Sequence, residues 1–306
     1  ANAHPHLDCS GTIAVAHNGI IENFSELRAE LLASGHVFVS ETDSEVVAHL
    51  LEEALKNQAD LATAVRAVFS KLQGMNALIV GRVGETSLIA IKNGSPLVVG
   101  IGQNASWLAS DVSALVEYTK EVTFLQDGEM AVLTADGIKL FAAADGAAKK
   151  LQTQLVDWDV AEAQLGEYAH FMRKEMYEQP AVWERLVEMP PTPELITQIH
   201  QADSRVLLGC GSAYHTCLIG AYLFNQVAGL GSTAVAGSEF EYLQPDLTER
   251  EILIVASQSG ETMDSLVPLK KAQTDGAKTV ALVNVEGSSI YRTADQRLLL
   301  LAGPEK

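Results

Sequence analysis

Cysteine is scarce in this sequence, with three among 306 residues, at positions 9, 210 and 217. An odd count at such wide spacing excludes a disulfide framework and fits a reducing compartment. Basic residues are also few: 21 Lys and Arg stand against 39 Asp and Glu, for a net charge of −18. A surface of that sign repels phosphate backbones and anionic lipid, so no nucleic-acid or membrane partner is expected. An anionic ligand must then be held by local donors, such as backbone N–H groups and hydroxyls. Long apolar runs are missing too. The longest aliphatic stretches, residues 252–256 and 298–302, fall far short of the roughly 18 residues a membrane span needs and read as buried strands. Residues 1–6 show no basic region followed by an apolar core, so no signal peptide is expected and the cytoplasm is the default compartment. Disorder is excluded by 47% hydrophobic content with only 20% charged residues, enough apolar material for two cores.

Two textures divide the chain. In the first, residues 12–17 read as a strand ending at the turn Asn18-Gly19, and residues 25–33 carry Leu27, Leu31 and Leu32 at helical spacing. A second helix follows Asp43, with Val46, Val47, Leu50, Leu51 and Leu55 on one face, and a third spans 61–72 with Asp60 as N-cap. Short strands follow, through 77–80, 87–91, 97–99, 124–125, 130–133 and 138–141, and Asp127-Gly128 and Asp136-Gly137 read as hairpin turns. Stacked layers of helix and antiparallel sheet are expected. Residues 156–165 are acidic and aperiodic, a linker candidate, and 168–189 reads as helical. Beyond them, strands at 205–208, 232–236, 251–256, 278–285 and 297–301, interleaved with helices at 213–227 and 262–274, predict βαβ units and a doubly wound parallel sheet.

Two βα junctions have the composition of anion sites: Gly209-Cys-Gly-Ser-Ala213 and Ser257-Gln-Ser-Gly-Glu-Thr262. Each follows an apolar strand and opens a helix, where unpaired N–H groups and the positive end of the helix dipole favour phosphate. Neither a GxxxxGK[ST] loop nor a GxGxxG fingerprint with its distal acid occurs, so a nucleotide is not the expected ligand. His17-Asn18-Gly19 ends a strand, where an amide and a backbone N–H can converge on an oxyanion, although Asn-Gly is first of all a turn. His4, His6, Asp8 and Cys9 look superficially like a metal cluster, but no second pair completes it, and they read as loop residues with no metal bound. Cys210 and Cys217 read as small packed residues.

Together these motifs resemble the glutamine–fructose-6-phosphate aminotransferase (isomerizing) family, also called glucosamine-6-phosphate synthase. The resemblance is carried, in order, by Asn2-Ala-His-Pro-His6, His17-Asn-Gly-Ile-Ile-Glu-Asn23, Ser40-Glu-Thr-Asp43, Phe171-Met-Arg-Lys-Glu-Met-Tyr-Glu-Gln-Pro180, Gly209-Cys-Gly-Ser212 and Ser257-Gln-Ser-Gly-Glu-Thr262. It implies a partial N-terminal-nucleophile (αββα) glutaminase domain at 1–160. A linker helix and the first doubly wound sugar-isomerase (SIS) domain would follow at 161–306. By the same resemblance, Asn18 and Gly19 form the oxyanion hole and Asp43 pairs with the glutamine α-ammonium. Ser257, Gln258, Ser259 and Thr262 hold the sugar phosphate, with Gly211 and Ser212 beside it. Glutamine and fructose 6-phosphate are the implied substrates, no cofactor is implied, and a homodimer or higher assembly is implied for the full-length protein.

The sequence departs from the family in three respects. Ala213 stands where many members place a second hydroxyl. The family's N-terminal cysteine nucleophile and the Arg-Trp segment for the glutamine carboxylate are missing, and Cys9, being internal, has no α-amine to serve as base. The second isomerase domain is missing as well. An internal fragment of about half the family's length is therefore expected, itself inactive as a glutaminase. The rival expectation is a complete, non-catalytic phosphosugar sensor. A glutamine amidotransferase of another kind is disfavoured by the isomerase motifs in the second half.

Overall fold

A computed structural model describes residues 2–57, 60–115, 117–156, 165–243 and 246–303. Most of the linker candidate, residues 157–164, lies outside the described residues. The chain divides into two compact units, Ala1–Asp157 and Trp158–Lys306.

The first unit runs β1 (His6–Leu7), β2 (Ile13–Gly19), α1 (Phe24–Ala33), α2 (Glu45–Leu55), α3 (Leu61–Phe69), β3 (Asn76–Arg82), β4 (Leu88–Asn93), β5 (Val98–Ile101), β6 (Ser106–Ala109), β7 (Glu121–Phe124), β8 (Glu129–Thr134), β9 (Gly137–Ala142), β10 (Ala148–Lys149) and β11 (Gln154–Leu155). Its strands form two antiparallel sheets, ordered β1-β2-β3-β4-β8-β9-β10 and β11-β7-β5-β6. Alternation along the strands builds two cores from one sheet, because successive side chains point to opposite faces. Val15, Leu78, Val80, Ile89 and Ile91 meet Leu27 and Leu31 of α1, Val47 and Leu51 of α2, and Val65 and Val68 of α3. Their neighbours Ala77, Ala90, Ala131, Leu133 and Leu140 turn the other way, onto Val99 and Leu125 beside the smaller sheet. Among the described residues this gives helix, sheet and sheet, three layers of the implied four.

One expected hairpin is not a hairpin. β7 pairs with β5 and β11, whereas β8 pairs with β4 and β9, so Asp127-Gly128 carries the chain from one sheet to the other. Asp127 serves that crossing: its Oδ1 accepts from Gly94 N at 2.8 Å and pairs with Lys92 Nζ at 2.5 Å. The turn at Asp136-Gly137 does close the β8–β9 hairpin, with Thr134 opposite Gly137.

The second unit runs α4 (Phe171–Glu188), α5 (Pro193–Gln201), β12 (Ser204–Gly209), α6 (Ser212–Leu223), β13 (Ser232–Ala236), α7 (Phe240–Leu243), β14 (Glu251–Ser257), α8 (Met263–Thr274), β15 (Lys278–Val283), α9 (Ser289–Thr293) and β16 (Gln296–Leu299). All five strands are parallel, in the order β13-β12-β14-β15-β16. Both faces are covered. Leu253 and Val255 of β14 pack with Leu266 and Leu269 of α8, while Ile252 and Ile254 pack with Leu195 of α5 and Cys217 of α6. From β12 the chain moves to β13 on one side and then to β14 on the other. The order therefore reverses between β12 and β14, and ligands of doubly wound sheets bind at the carboxyl ends of the strands at such a switch.

Candidate functional site

Both glycine- and serine-rich junctions sit at that reversal. Gly209 ends β12 and Ser257 ends β14, and the two strands are hydrogen-bonded neighbours, with Leu208 opposite Val255. Gly211 has φ +55° and leads into α6, and both it and Ser212 are exposed at the helix start. A side chain at Gly209 would lie 2.7 Å from the Ala213 carbonyl carbon, so only glycine lets the helix start this close to the strand. At the second junction Ser257 is buried. Its Oγ accepts from Gly260 N at 3.1 Å and lies 3.2 Å from Thr262 Oγ1, while Ser259 Oγ accepts from Glu261 N at 3.2 Å. Gly260 is at φ +67°, and a Cβ there would sit 2.0 Å from Ser288 Oγ. Glu261 turns away from the cradle, with Oε1 accepting from Ser289 N at 2.9 Å. The hydroxyls of Ser257 and Ser259 thus shape the loop. Ser212, Gln258, Ser259 and Thr262 keep some exposure around it. No Lys or Arg occurs in 257–262, so N–H groups, hydroxyls and helix ends supply its anion-binding capacity.

In the first unit Asn18 and Gly19 form the exposed end of β2, opposite Ala77 and Asn76 of β3. Gly19 has φ +140°, and a Cβ there would overlap the Met75 carbonyl oxygen at 2.0 Å. Asp43 is brought to the same strand end, where its Oδ2 accepts from Ile21 N at 2.7 Å. What carries it there is Glu45 at the start of α2, whose buried carboxylate accepts from Val39 N and Ser40 N at 2.7 Å each. Burial alone would raise the Glu45 pKa. Hydrogen bonds from Ser40 and Val39 more than offset that, and the group stays ionised below its ordinary value. Beneath this end lies His17, 7% exposed, with Nε2 2.8 Å from Asn76 Oδ1 and Nδ1 2.8 Å from Ser44 Oγ. The amide oxygen can only accept, so Nε2 carries the proton and Nδ1 accepts from Ser44. Burial lowers the pKa of His17, which keeps the imidazole neutral as a strut under Asn18. Ser44, Glu45 and Asn76 are supports that the sequence reading did not single out.

The cysteines divide. Burial pushes the Cys217 thiol up to about 11, and Cys210 Sγ lies 3.5 Å from Ser265 Oγ, so both are packing groups. Cys9 corrects an expectation. It does not stand alone in a loop, because Sγ lies 3.6 Å from His36 Nδ1 and 3.5 Å from His49 Nδ1. The missing second pair comes from the α1–α2 connection and from α2. The expected companions serve elsewhere: Asp8 accepts from Thr12 N and Ile13 N at 2.7 and 2.8 Å to hold the β1–β2 turn, and His6 Nε2 lies 3.2 Å from Thr42 Oγ1.

A layered antiparallel unit with an amide and a glycine at a strand end, and a parallel unit with a serine cradle at its switch point, define a glutamine amidotransferase unit joined to a sugar-isomerase unit. Family models agree: a glutamine amidotransferase domain matches residues 1–117 and a SIS domain matches residues 198–306. Curated relatives that match nearly the whole chain carry the name glutamine–fructose-6-phosphate aminotransferase (isomerizing). That of Aquifex aeolicus is 43% identical, with 99% of this chain and 51% of the relative covered. Those of Thermococcus kodakarensis and Methanothermobacter thermautotrophicus are 42% and 41% identical with the same coverage. A solved structure of the C-terminal domain of glucosamine-fructose-6-phosphate aminotransferase from Francisella tularensis aligns with TM-score 0.42 and 24% identity, over 46% of this chain and 42% of that one. Over 99% of its length the chain is similar to glutamine–fructose-6-phosphate aminotransferases. It spans about half the length of the curated relatives it matches.

Proposed function

We propose that this chain supplies the glutamine-side and phosphosugar-side modules of an aminotransferase that converts fructose 6-phosphate and glutamine to glucosamine 6-phosphate and glutamate. The observation that carries the reading is the switch-point cradle, joined in one chain to a glutamine amidotransferase unit. In the first unit the Asn18 amide and the Gly19 N–H stabilise the oxyanion of the tetrahedral intermediate, and the Asp43 carboxylate pairs with the substrate α-ammonium. Asp43 is suited to that role because Ile21 N fixes Oδ2 at 2.7 Å, while Oδ1, with only a long 3.4 Å contact from Ser44 Oγ, can still accept from the ammonium. In the second unit the phosphate lies between the N-termini of α6 and α8, held by Ser212, Ser259, Thr262, Gln258 and backbone donors of the two junctions, including that of Gly211. Ser257 is the buried post of the cradle. Ammonia liberated in the first module is the nitrogen source for the sugar.

None of the three cysteines has its own α-amine as base, so these 306 residues are expected to bind glutamine without releasing glutamate. The test is thermal stabilisation by fructose 6-phosphate, set against inorganic phosphate and free fructose. Binding at 100 times Kd adds about 2.7 kcal/mol, and Ser257→Ala with Ser259→Ala should abolish it. Equal stabilisation by phosphate alone, or a shift that the double variant retains, overturns the reading.

A further inference from the structure

We propose that Cys9, His36, His49 and Glu52 form a tetrahedral site for one Zn²⁺ ion in the first unit. The donor atoms come from three places: the β1–β2 turn (Cys9), the α1–α2 connection (His36), and one face of α2 (His49 and Glu52). They converge on one point. The sulfur lies 3.6 and 3.5 Å from the Nδ1 atoms of His36 and His49, which lie 3.3 Å from each other. Glu52 Oε2 is 3.1 Å from His36 Nδ1 and 3.6 Å from His49 Nδ1. Bonds of about 2.3 Å to sulfur and about 2.0–2.1 Å to nitrogen and oxygen give tetrahedron edges of about 3.5 Å for S···N and about 3.3 Å for N···N and N···O. All five separations are close to those edges.

Hydrogen bonding alone does not account for this packing. Each Nδ1 faces three lone-pair-bearing atoms at once, and two imidazole nitrogens 3.3 Å apart share one proton at most. A cation satisfies all of them. Thiolate, carboxylate and two neutral imidazoles also balance two positive charges, which matters because His36 and His49 are only 6% and 1% exposed. The surroundings match a metal site. His36 Nε2 lies 2.7 Å from Glu53 Oε1 and His49 Nε2 lies 3.5 Å from Glu45 Oε1, so each ring has a carboxylate behind it, the latter beyond hydrogen-bond geometry. Val37 N donates to the Cys9 sulfur at 3.4 Å, as suits a thiolate. The buried histidines form the floor and exposed Cys9 the mouth, which gives an ion a way in. Thiolate and imidazole ligands at tetrahedral spacing select zinc over calcium or magnesium. Four protein donors leave no open position, so the role is a structural clip across three segments.

The experiment uses the untagged chain, stripped with chelator and titrated with Zn²⁺ and with Co²⁺. One equivalent per chain is expected, with a rise in Tm and, for Co²⁺, tetrahedral d–d absorption plus a thiolate-to-cobalt band. Cys9→Ser should remove that band and weaken Zn²⁺ binding by 100-fold or more. Glu53→Gln, behind His36, should weaken it roughly 10-fold. Cys9 and Glu53 lie at the surface, so circular dichroism of both variants should match the parent. Failure of the parent chain to take up stoichiometric metal overturns the proposal, as does unchanged affinity in Cys9→Ser.

Discussion

Gly260→Ala is the sharpest test of the cradle at the end of β14. Gly260 is at φ +67°, and a Cβ built there lies 2.0 Å from Ser288 Oγ and 2.6 Å from Ser288 Cβ. The left-handed backbone costs an alanine about 1–2 kcal/mol. Ser288 is fully buried and cannot swing into solvent, so overpacking adds about 1–3 kcal/mol. The mid-range total, about 3.5 kcal/mol, should lower the melting temperature by roughly 10 °C for a unit of this size. Gly276→Ala is the control, because Gly276 is at φ +91° but its nearest atom, Glu249 Cβ, is 4.0 Å from the built carbon. It isolates the backbone cost and should shift the transition by a few degrees, about two fifths of the effect at Gly260. Adding Ser288→Gly to Gly260→Ala removes both clashing atoms and should recover the difference. Scanning calorimetry reads all four proteins. A chain that evades the clash by moving the loop should instead lose its stabilisation by fructose 6-phosphate. Equal melting temperatures for the two alanine variants, with ligand stabilisation intact, refute the reasoning.

Asp43→Asn keeps an acceptor for Ile21 N but removes the charge, and should weaken glutamine binding about 10- to 100-fold in calorimetric titration, the worth of a charge-assisted bond. Asp60→Ala removes the acceptor for Ala62 N and Thr63 N at the start of α3 and should cost about 1 kcal/mol in urea unfolding at pH 7. Hydrogen bonding from Thr63 lowers the Asp60 pKa, so that loss should shrink as pH falls from about 3.8 through the lower native value. Burial lowers the pKa of His17, so the unfolded chain binds the extra proton first. The parent should lose stability as pH falls below about 6.5, and His17→Gln should flatten that slope.

The cradle was the most legible part of the molecule, and for a physical reason. Gly209, Gly211, Ser257, Ser259 and Gly260 punctuate apolar strands, so the chemistry and the chain reversal coincide within a few residues. That coincidence is absent from the crossing at Asp127-Gly128. Its turn composition is that of a hairpin, but which sheet a strand joins depends on partners far away, such as β5 for β7 and β4 for β8. The Thr192-Pro193 pair that starts α5 carries a local N-cap signal, with Thr192 Oγ1 accepting from Leu195 N at 3.2 Å, and helical expectation at 193–201 could have rested on it.

The cluster at Cys9 shows where a linear reading runs out. His49 and Glu52 are three apart on α2 and share a face, which is the single local hint. His36 lies 13 residues before His49, and Cys9 lies 40 before it, spacings that match no short ligand motif. Only the packing of the β1–β2 turn against α2 brings the sulfur in. The same helix turns Glu45 toward Val39 and Ser40, and that carboxylate faces His49 from behind. One helix therefore offers its ligands to the cluster and its first turn to the segment bearing Asp43. Metal occupancy and glutamine affinity should be coupled through α2, and calorimetric titration of glutamine into zinc-loaded and stripped chain measures that coupling. Affinities equal within error would show that the clip stabilises the unit without reaching Asp43.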